Sequence, residues 1–143
     1  MSIPKQIKRL FATERRCFLA TCYRDKPHLS LMLFTYYPDE KLVILSSRRE
    51  TTKVKNIEKN PEVALMLHNP GSGTEKPLSC TIYGQAKIIH SGADSTYKKI
   101  HQENHKGMDI FIAGDDKIII VVKFSFVAVS DSEDQVWTWN AAK

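Results

Sequence analysis

The stretch of sequence that decides the fold runs from Lys41 to Leu67 and reads KLVILSSRRETTKVKNIEKNPEVALML. Its opening run, Leu42 to Leu45, is short and apolar between polar neighbours, which is typical of a buried strand. A second apolar run, Val63 to Leu67, begins just after Asn60-Pro61, where proline disfavours helix in the preceding residue. Because apolar residues recur at helical spacing between the two runs, the stretch predicts a strand, a polar loop, a short helix and another strand.

The loop between the first strand and the helix concentrates hydroxyl and cationic side chains. Thr51 or Thr52 suits the helix N-cap, because a threonine hydroxyl can accept a bond from an unpaired N–H of the first turn. Helix N-termini bind anions through such N–H groups and the positive end of the helix dipole. With Arg48 and Lys53 close by, the pattern favours a phosphate ligand. An ordinary strand-to-helix connection with a solvated charge run fits the same spacing.

Length and composition predict one ordinary globular domain over residues 1–143. The apolar content is 42%, and no apolar run approaches the length of a membrane span. The net charge of +5 permits binding of a polyanion without requiring it. Three cysteines without a Cys-x-x-Cys motif are typical of free thiols in a reducing compartment. We therefore expect a cytoplasmic protein with no signal peptide and no membrane segment.

Short apolar segments separated by tight turns follow one another along the chain. An N-terminal helix is predicted within residues 1–14, a further helix over 94–104, an irregular segment over 107–116 and a polar tail over 130–143. The predicted strands are residues 17–23, 28–37, 42–45, 63–67, 78–90 and 117–129. Six β-rich segments with short turns favour a closed or nearly closed antiparallel barrel, because closure removes the sheet edges.

Several short segments carry a likeness to a known family. They are Phe18-Leu19-Ala20-Thr21, Lys26 to Ser30, Ser47 to Val54, Asn60 to Leu65 and Tyr83-Gly84-Gln85-Ala86. In this order and spacing they resemble the pyridoxamine 5′-phosphate oxidase-like family of FMN-binding split barrels. The resemblance implies a mainly β fold, a six-stranded antiparallel split barrel of Greek-key type with a few helices. It also implies a homodimer with FMN between the subunits.

The resemblance further implies roles for individual residues. Thr51 and Lys53 match the Ser/Thr and Lys positions that hold the FMN phosphate, and this agrees with the anion site expected from the loop itself. Ser46 and Ser47 match strand-end positions that face the cofactor. The segment from His28 to Met32 is similar to the strand that runs along the isoalloxazine ring of the flavin.

Three further residues are candidates for contact with the flavin. His28 and Ser30 lie on the strand that resembles the ring-facing one, and a histidine side chain can act as an acid or base near physiological pH. Of the two tail tryptophans, Trp137 and Trp139, the resemblance implies that one packs near the cofactor, and Trp139 is the candidate. The alternative is that both tryptophans simply cover the barrel.

The chain departs from the vitamin B6 oxidase of the family. Leu31 and Tyr36 stand near positions where that enzyme carries Arg and Lys, and Thr52 stands where it carries Arg. The enzyme's C-terminal Arg-x-His motif has no match in residues 136–143. We therefore expect an FMN-dependent oxidoreductase with a different small-molecule redox substrate, and no catalytic residue is assigned.

Other functions fit parts of the pattern. A non-catalytic FMN carrier or sensor is the alternative to an oxidoreductase, and split barrels of this kind also use the deazaflavin F420 or haem. A basic barrel that binds single-stranded nucleic acid needs exposed aromatic side chains for base stacking. Phe34, Tyr36 and Tyr83 are the candidates for that role, and they are equally good core residues.

A metal site is not expected. His101 and His105 are four residues apart on a predicted helix, as zinc ligands can be. The residues between them lack the Glu directly after the first His that the H-E-x-x-H pattern requires. We expect both histidines to face solvent on a polar helix face.

Overall fold

A computed structural model describes residues 2–90 and 95–142 of the chain. Among these residues, no helix is long and apolar enough to cross a membrane. The helices and strands in chain order are α1 (Lys5–Thr13), β1 (Arg16–Tyr23), β2 (Lys26–Leu33), β3 (Thr35–Tyr37), β4 (Leu42–Arg48), α2 (Thr52–Lys59), β5 (Glu62–Asn69), β6 (Leu78–Ile89), α3 (Ser95–Asn104), α4 (Asp109–Ile112), β7 (Lys117–Asp131) and β8 (Val136–Asn140).

The strands form one sheet in the order β2-β1-β5-β6-β7-β4-β3, with β8 added to β7. Every strand pairing is antiparallel. The sheet curls until β2 and β4, which lie far apart in this order, come into contact. A bulge between Tyr83 and Gly84 accommodates the curvature, and there the Gly84 backbone approaches Lys123 too closely for any side chain. The predicted mainly β, antiparallel barrel is confirmed.

The described strands number eight, against the six expected from the sequence. The expected strand 28–37 is divided at Phe34, because β2 pairs with β1 as far as Leu33, whereas β3 pairs with β4 from Thr35 onward. The tail contributes β8, in which Trp137 and Trp139 pack against the core. The segment expected to be irregular contains α4, which at four residues is too short to show a helical period.

The barrel core is closed by α1. Ile7, Leu10 and Phe11 on one face of this helix are buried, and the Phe11 ring stacks on Tyr36 with centroids 4.2 Å apart. Phe34 is also buried, so two of the three aromatic residues considered for base stacking belong to the core. Tyr83 alone of the three is well exposed. The three cysteines are free, as expected.

The two histidines of α3 are buried and dock the helix on the sheet, so the expectation that they face solvent is wrong. His101 Nδ1 lies 2.7 Å from Thr35 Oγ1, and His105 Nε2 lies 2.7 Å from the Phe34 carbonyl oxygen. The physical reason is the break after β2, which leaves polar groups of Phe34 and Thr35 in need of partners. No group of three or more His, Cys, Asp or Glu side chains in the described chain could hold a metal ion.

Burial of His101 makes the stability of the fold depend on pH. Burial and, to a smaller extent, the neighbouring His105 lower the pKa of His101 from 6.5 to about 3. Unfolded His101 binds a proton below pH 6.5 and folded His101 does not. The free energy of unfolding should therefore fall with decreasing pH, by up to about 1.4 kcal/mol per pH unit from this group.

The measurement is denaturant unfolding between about pH 5 and 7.5. His101→Gln removes the titrating group, so its stability should fall less steeply with decreasing pH than that of the parent. Thr138→Ala, which changes an exposed residue without a titrating side chain, should keep the parent slope. Equal slopes for the parent and His101→Gln would contradict the prediction.

Candidate functional site

The loop between β4 and α2 is held in place by the start of β7. The β4–β7 ladder continues to its last pair, in which Arg48 lies opposite Lys117. Beyond that pair, the Arg49 N–H donates to the Asp116 carbonyl at 2.8 Å, and the Arg49 guanidinium donates to the Asp115 carbonyl at 3.2 Å. One backbone bond and one side-chain bond from Arg49 therefore tie the loop to the segment before β7.

At the start of α2, two hydroxyl groups share one carbonyl acceptor. The Ser47 hydroxyl donates to the Arg48 carbonyl at 2.8 Å and lies 3.2 Å from the Thr51 hydroxyl, which bonds to the same carbonyl. Thr51 is the N-cap residue, as predicted, but its side chain caps no N–H group. The first-turn N–H groups of α2 thus have no side-chain partner, and such groups bind anions.

The cavity beside this helix terminus is lined by cations and by no acid among its described residues. Arg16, Arg48, Lys53 and Lys117 line the same cavity. Lys117 is paired with Asp116, at 3.0 Å and 3.1 Å from the two carboxylate oxygens. In the described parts of the chain, Arg16, Arg48 and Lys53 form no salt bridge and donate no side-chain hydrogen bond. Asp116 is near enough to Arg48 for the guanidinium to help lower the pKa of the Asp116 carboxyl, after the larger effect of Lys117.

The uncompensated charge is reflected in the ionisation of Lys53. This side chain is half-buried, and burial lowers the pKa of its ammonium group; the nearby Arg48 lowers it further. A bound anion would raise the pKa of Lys53 again, because an opposite charge favours the protonated form of a lysine. The electrostatics of the cavity therefore favour an anionic ligand.

The rest of the cavity wall is apolar. Leu31 and Leu33 contribute from β2, and Met108, Ile110 and Phe111 contribute from α4 and the residue before it. The Ser46 hydroxyl fastens this side by donating to the Phe111 carbonyl at 3.0 Å. The cavity measures about 670 Å³, within the usual size of small-molecule sites. One end suits an anionic group and the other an apolar or aromatic body.

The structure brings together five of the residues predicted from the sequence and leaves four outside the cavity. Those that line it are Ser46, Ser47, Arg48, Thr51 and Lys53. Those outside it are Thr52, His28, Ser30 and Trp139. The contacts of all nine with a cofactor stay predictions.

Each residue outside the cavity has another environment. Thr52 is exposed on the first turn of α2. His28 Nδ1 and the Ser30 hydroxyl lie 3.3 Å apart on β2. Trp139 is buried in the core, where its indole N–H donates to the Ser2 carbonyl at 3.2 Å. Within one chain, the Trp139 ring therefore serves the barrel rather than the cavity.

Sequence reasoning missed Arg16, Lys117 and the α4 side of the cavity. Arg16 opens β1 and Lys117 opens β7, so only the strand register brings them to the α2 terminus. Phe111 lies 65 residues from its partner Ser46. The sequence signal for this side was the pair of apolar residues Ile110 and Phe111 in a segment expected to be irregular, and the structure shows them 77% and 54% exposed.

Solved structures share this fold. A haem-binding protein from Mycobacterium smegmatis superposes with a TM-score of 0.80 at 13% identity, over 99% of this chain and 60% of that protein. An FAD-binding protein from Mesorhizobium loti superposes with a TM-score of 0.71 at 13% identity, over 87% of this chain and 89% of that one. Fold and cavity together define a split-barrel protein whose cavity has a cationic end and an apolar wall.

Comparison of sequences gives the family. The profile of the pyridoxamine 5′-phosphate oxidase family matches residues 3–124. A pyridoxamine 5′-phosphate oxidase homolog from Schizosaccharomyces pombe is 30% identical, over 96% of this chain and 90% of that protein. Another homolog, from Saccharomyces cerevisiae, is 23% identical over 96% of this chain and 94% of its own length. The chain belongs to the pyridoxamine 5′-phosphate oxidase family, so the resemblance drawn from its sequence segments is confirmed.

The anion site can be tested with inorganic phosphate alone. Phosphate should raise the melting temperature at low ionic strength, because a ligand that binds only the folded state stabilises it. Arg48→Ala should weaken phosphate binding by about tenfold, the effect of losing a charge-assisted bond. Lys55→Ala removes an equal charge from an exposed position of the same helix and should bind phosphate normally. Equal phosphate stabilisation of both variants would contradict the assignment.

Proposed function

We propose that the cavity binds FMN and that the protein is an FMN-dependent oxidoreductase. The observation that carries the proposal is the group of unpaired cations at the α2 terminus, next to an apolar wall. The phosphate of FMN bears nearly two negative charges at neutral pH and its ring system is planar and largely apolar, so the two ends of the cavity suit it. Membership of the family and the FAD-binding neighbour support a flavin ligand.

In this proposal, Lys53 and Arg48 hold the phosphate, with the Thr51 and Ser47 hydroxyls and the α2 N–H groups as further ligands. Bound FMN would supply the redox chemistry, and the chain would supply binding, orientation and electrostatics. The reaction partner would be a small-molecule redox substrate. A non-catalytic FMN carrier or sensor would hold the same ligand with the same residues and would differ in lacking turnover.

Haem is the alternative ligand that one structural neighbour suggests. Haem iron in proteins is usually held by an axial histidine, cysteine, methionine or tyrosine. The cavity wall offers Met108 but no histidine, cysteine or tyrosine among its described lining residues. The cationic end and its free N–H groups suit a phosphate better than a porphyrin. Flavin and haem absorb in different bands, so the spectrum of the reconstituted protein separates them.

The role of Lys53 gives a direct test of the proposal. Lys53→Ala should weaken FMN much more than riboflavin, because riboflavin lacks the phosphate. A charge-assisted bond to phosphate is worth about 1.5–3 kcal/mol, which corresponds to roughly ten- to a hundredfold in affinity. Fluorescence titration of both flavins measures the difference, with Lys55→Ala as the control. Equal losses for the two flavins would mean that Lys53 acts on folding, and absence of FMN binding at micromolar concentration would refute the proposal.

A second copy of the chain would complete the site. An apolar face runs across β2, β1, β5 and β6 in two rows, Leu31-Phe18-Met66 and Leu29-Ala20-Ala64-Tyr83. All of its large side chains are 42% exposed or more. Leu31 belongs to both this face and the cavity wall, so the face continues into the FMN site. We therefore propose a homodimer across this face, with FMN between the subunits.

The dimer can be tested with two matched substitutions. Leu29 and Val136 are 65% and 66% exposed, so a charge at either should leave the fold intact. Leu29→Glu should raise the dimer dissociation constant at least about tenfold, because it removes an apolar side chain from the interface. Val136→Glu, on β8, should not. Sedimentation velocity over a dilution series measures both.

FMN should also lower the dissociation constant of the parent dimer, because it is held between the subunits. A parent protein that sediments as a monomer at every concentration while binding FMN would refute the dimer. A dimer whose dissociation constant does not change with FMN would place the FMN site within one subunit.

A further inference from the structure

A second cavity adjoins the proposed FMN cavity. It measures about 710 Å³ and lies between the C-terminal end of α1, the start of β1 and the segment that follows α3. Arg16, Leu33 and Met108 line both cavities and form a shared wall. The two spaces are therefore neighbours across one arginine and two apolar side chains. A ligand in the second cavity would lie beside a ligand in the first.

The charged side chains of the second cavity suit a single negative charge. Its cations are Arg15, Arg16 and Lys106, and its acids are Glu14 and Glu103. Arg15 is already engaged, because its guanidinium donates to the Asn104 carbonyl at 2.6 Å. Arg16 has no such partner in the described chain. A dianion would meet two carboxylates here, whereas a monoanion would leave the wall close to neutral.

His105 adds a fixed hydrogen-bond acceptor. Its Nε2 must carry the proton, because it lies 2.7 Å from the Phe34 carbonyl oxygen and a carbonyl can only accept. Burial lowers the pKa of His105, and Arg15 adds to this against the effect of the carbonyl, so the ring is neutral at physiological pH. Nδ1 is then the acceptor that His105 can offer to the cavity it lines.

The geometry points to the second cavity as the substrate subsite, and to a small organic monocarboxylate with an apolar body as its ligand. The carboxylate would bind Arg16, whose planar guanidinium matches a carboxylate with two parallel hydrogen bonds. The apolar body would lie on Leu33 and Met108, and a hydroxyl or amino group would reach His105. That the ligand is a substrate rests on the proposed function. That the cavity is an anion subsite rests on the cavity alone.

The test uses benzoate as the probe on the full chain at saturating FMN. Benzoate should perturb the flavin absorbance spectrum saturably, and neutral benzamide should bind at least about tenfold more weakly. Arg16→Ala should weaken benzoate by about tenfold or more, and Arg16→Lys should restore part of the affinity. Glu103→Gln should tighten it about twofold, more at low salt, because it removes an opposing exposed charge.

Arg24→Ala is the matched control, since Arg24 follows the other end of β1 and stacks on Tyr23. It should leave benzoate binding unchanged. Equal binding of benzoate and benzamide, or normal benzoate affinity in Arg16→Ala, would overturn the inference.

Calorimetric titration of benzoate in the absence of FMN separates the two proposals. If FMN does not bind but benzoate binds through Arg16, the subsite stands and the proposed function fails. If FMN binds and benzoate does not, the FMN proposal stands and the subsite inference fails.

Discussion

The pairing of β4 with β7 is the constraint on which the cavity depends. This ladder runs from the pair of Leu42 and Lys123 to the pair of Arg48 and Lys117. Because it continues to the last residue of β4, the following loop begins beside the segment that precedes β7, and Arg49 bonds to that segment. The same ladder brings α4, which precedes β7, against Ser46. Polar and apolar ends of the cavity are thus both set by one strand register.

The cavity also carries a stability cost that the barrel core offsets. A half-buried Lys53 beside Arg48, with no salt bridge at either, is unfavourable in the absence of a ligand. Such an arrangement persists because Arg49 ties the loop to the segment before β7 through its backbone and its side chain. Departures from the rules of polar satisfaction concentrate at functional sites, and here the departure lies where the helix terminus is also uncapped.

Local sequence signals predicted the elements that depend on neighbouring residues. Apolar runs, the proline after Asn60 and the Ser/Thr-rich loop placed β4, α2 and β5, and with them five residues of the cavity. Contacts distant in sequence could not be read this way. The bond from Ser46 to Phe111, the position of Arg16 and the burial of His101 against Thr35 all depend on the curl of the sheet and on the break at Phe34. A helix of four residues gives no period, so α4 was invisible.

β2 lies at one end of the strand order, so one of its backbone edges pairs with no neighbour in the described sheet. Unpaired edges can template the addition of strands from other chains, and this hazard is greatest while an apolar face is also uncovered. The strand begins with Lys26-Pro27, and both residue types discourage such addition, since proline lacks an N–H and lysine carries charge. That protection covers only the start of the strand. A newly folded chain would therefore be most prone to aggregation at Leu29 to Leu33, which the proposed dimer would cover.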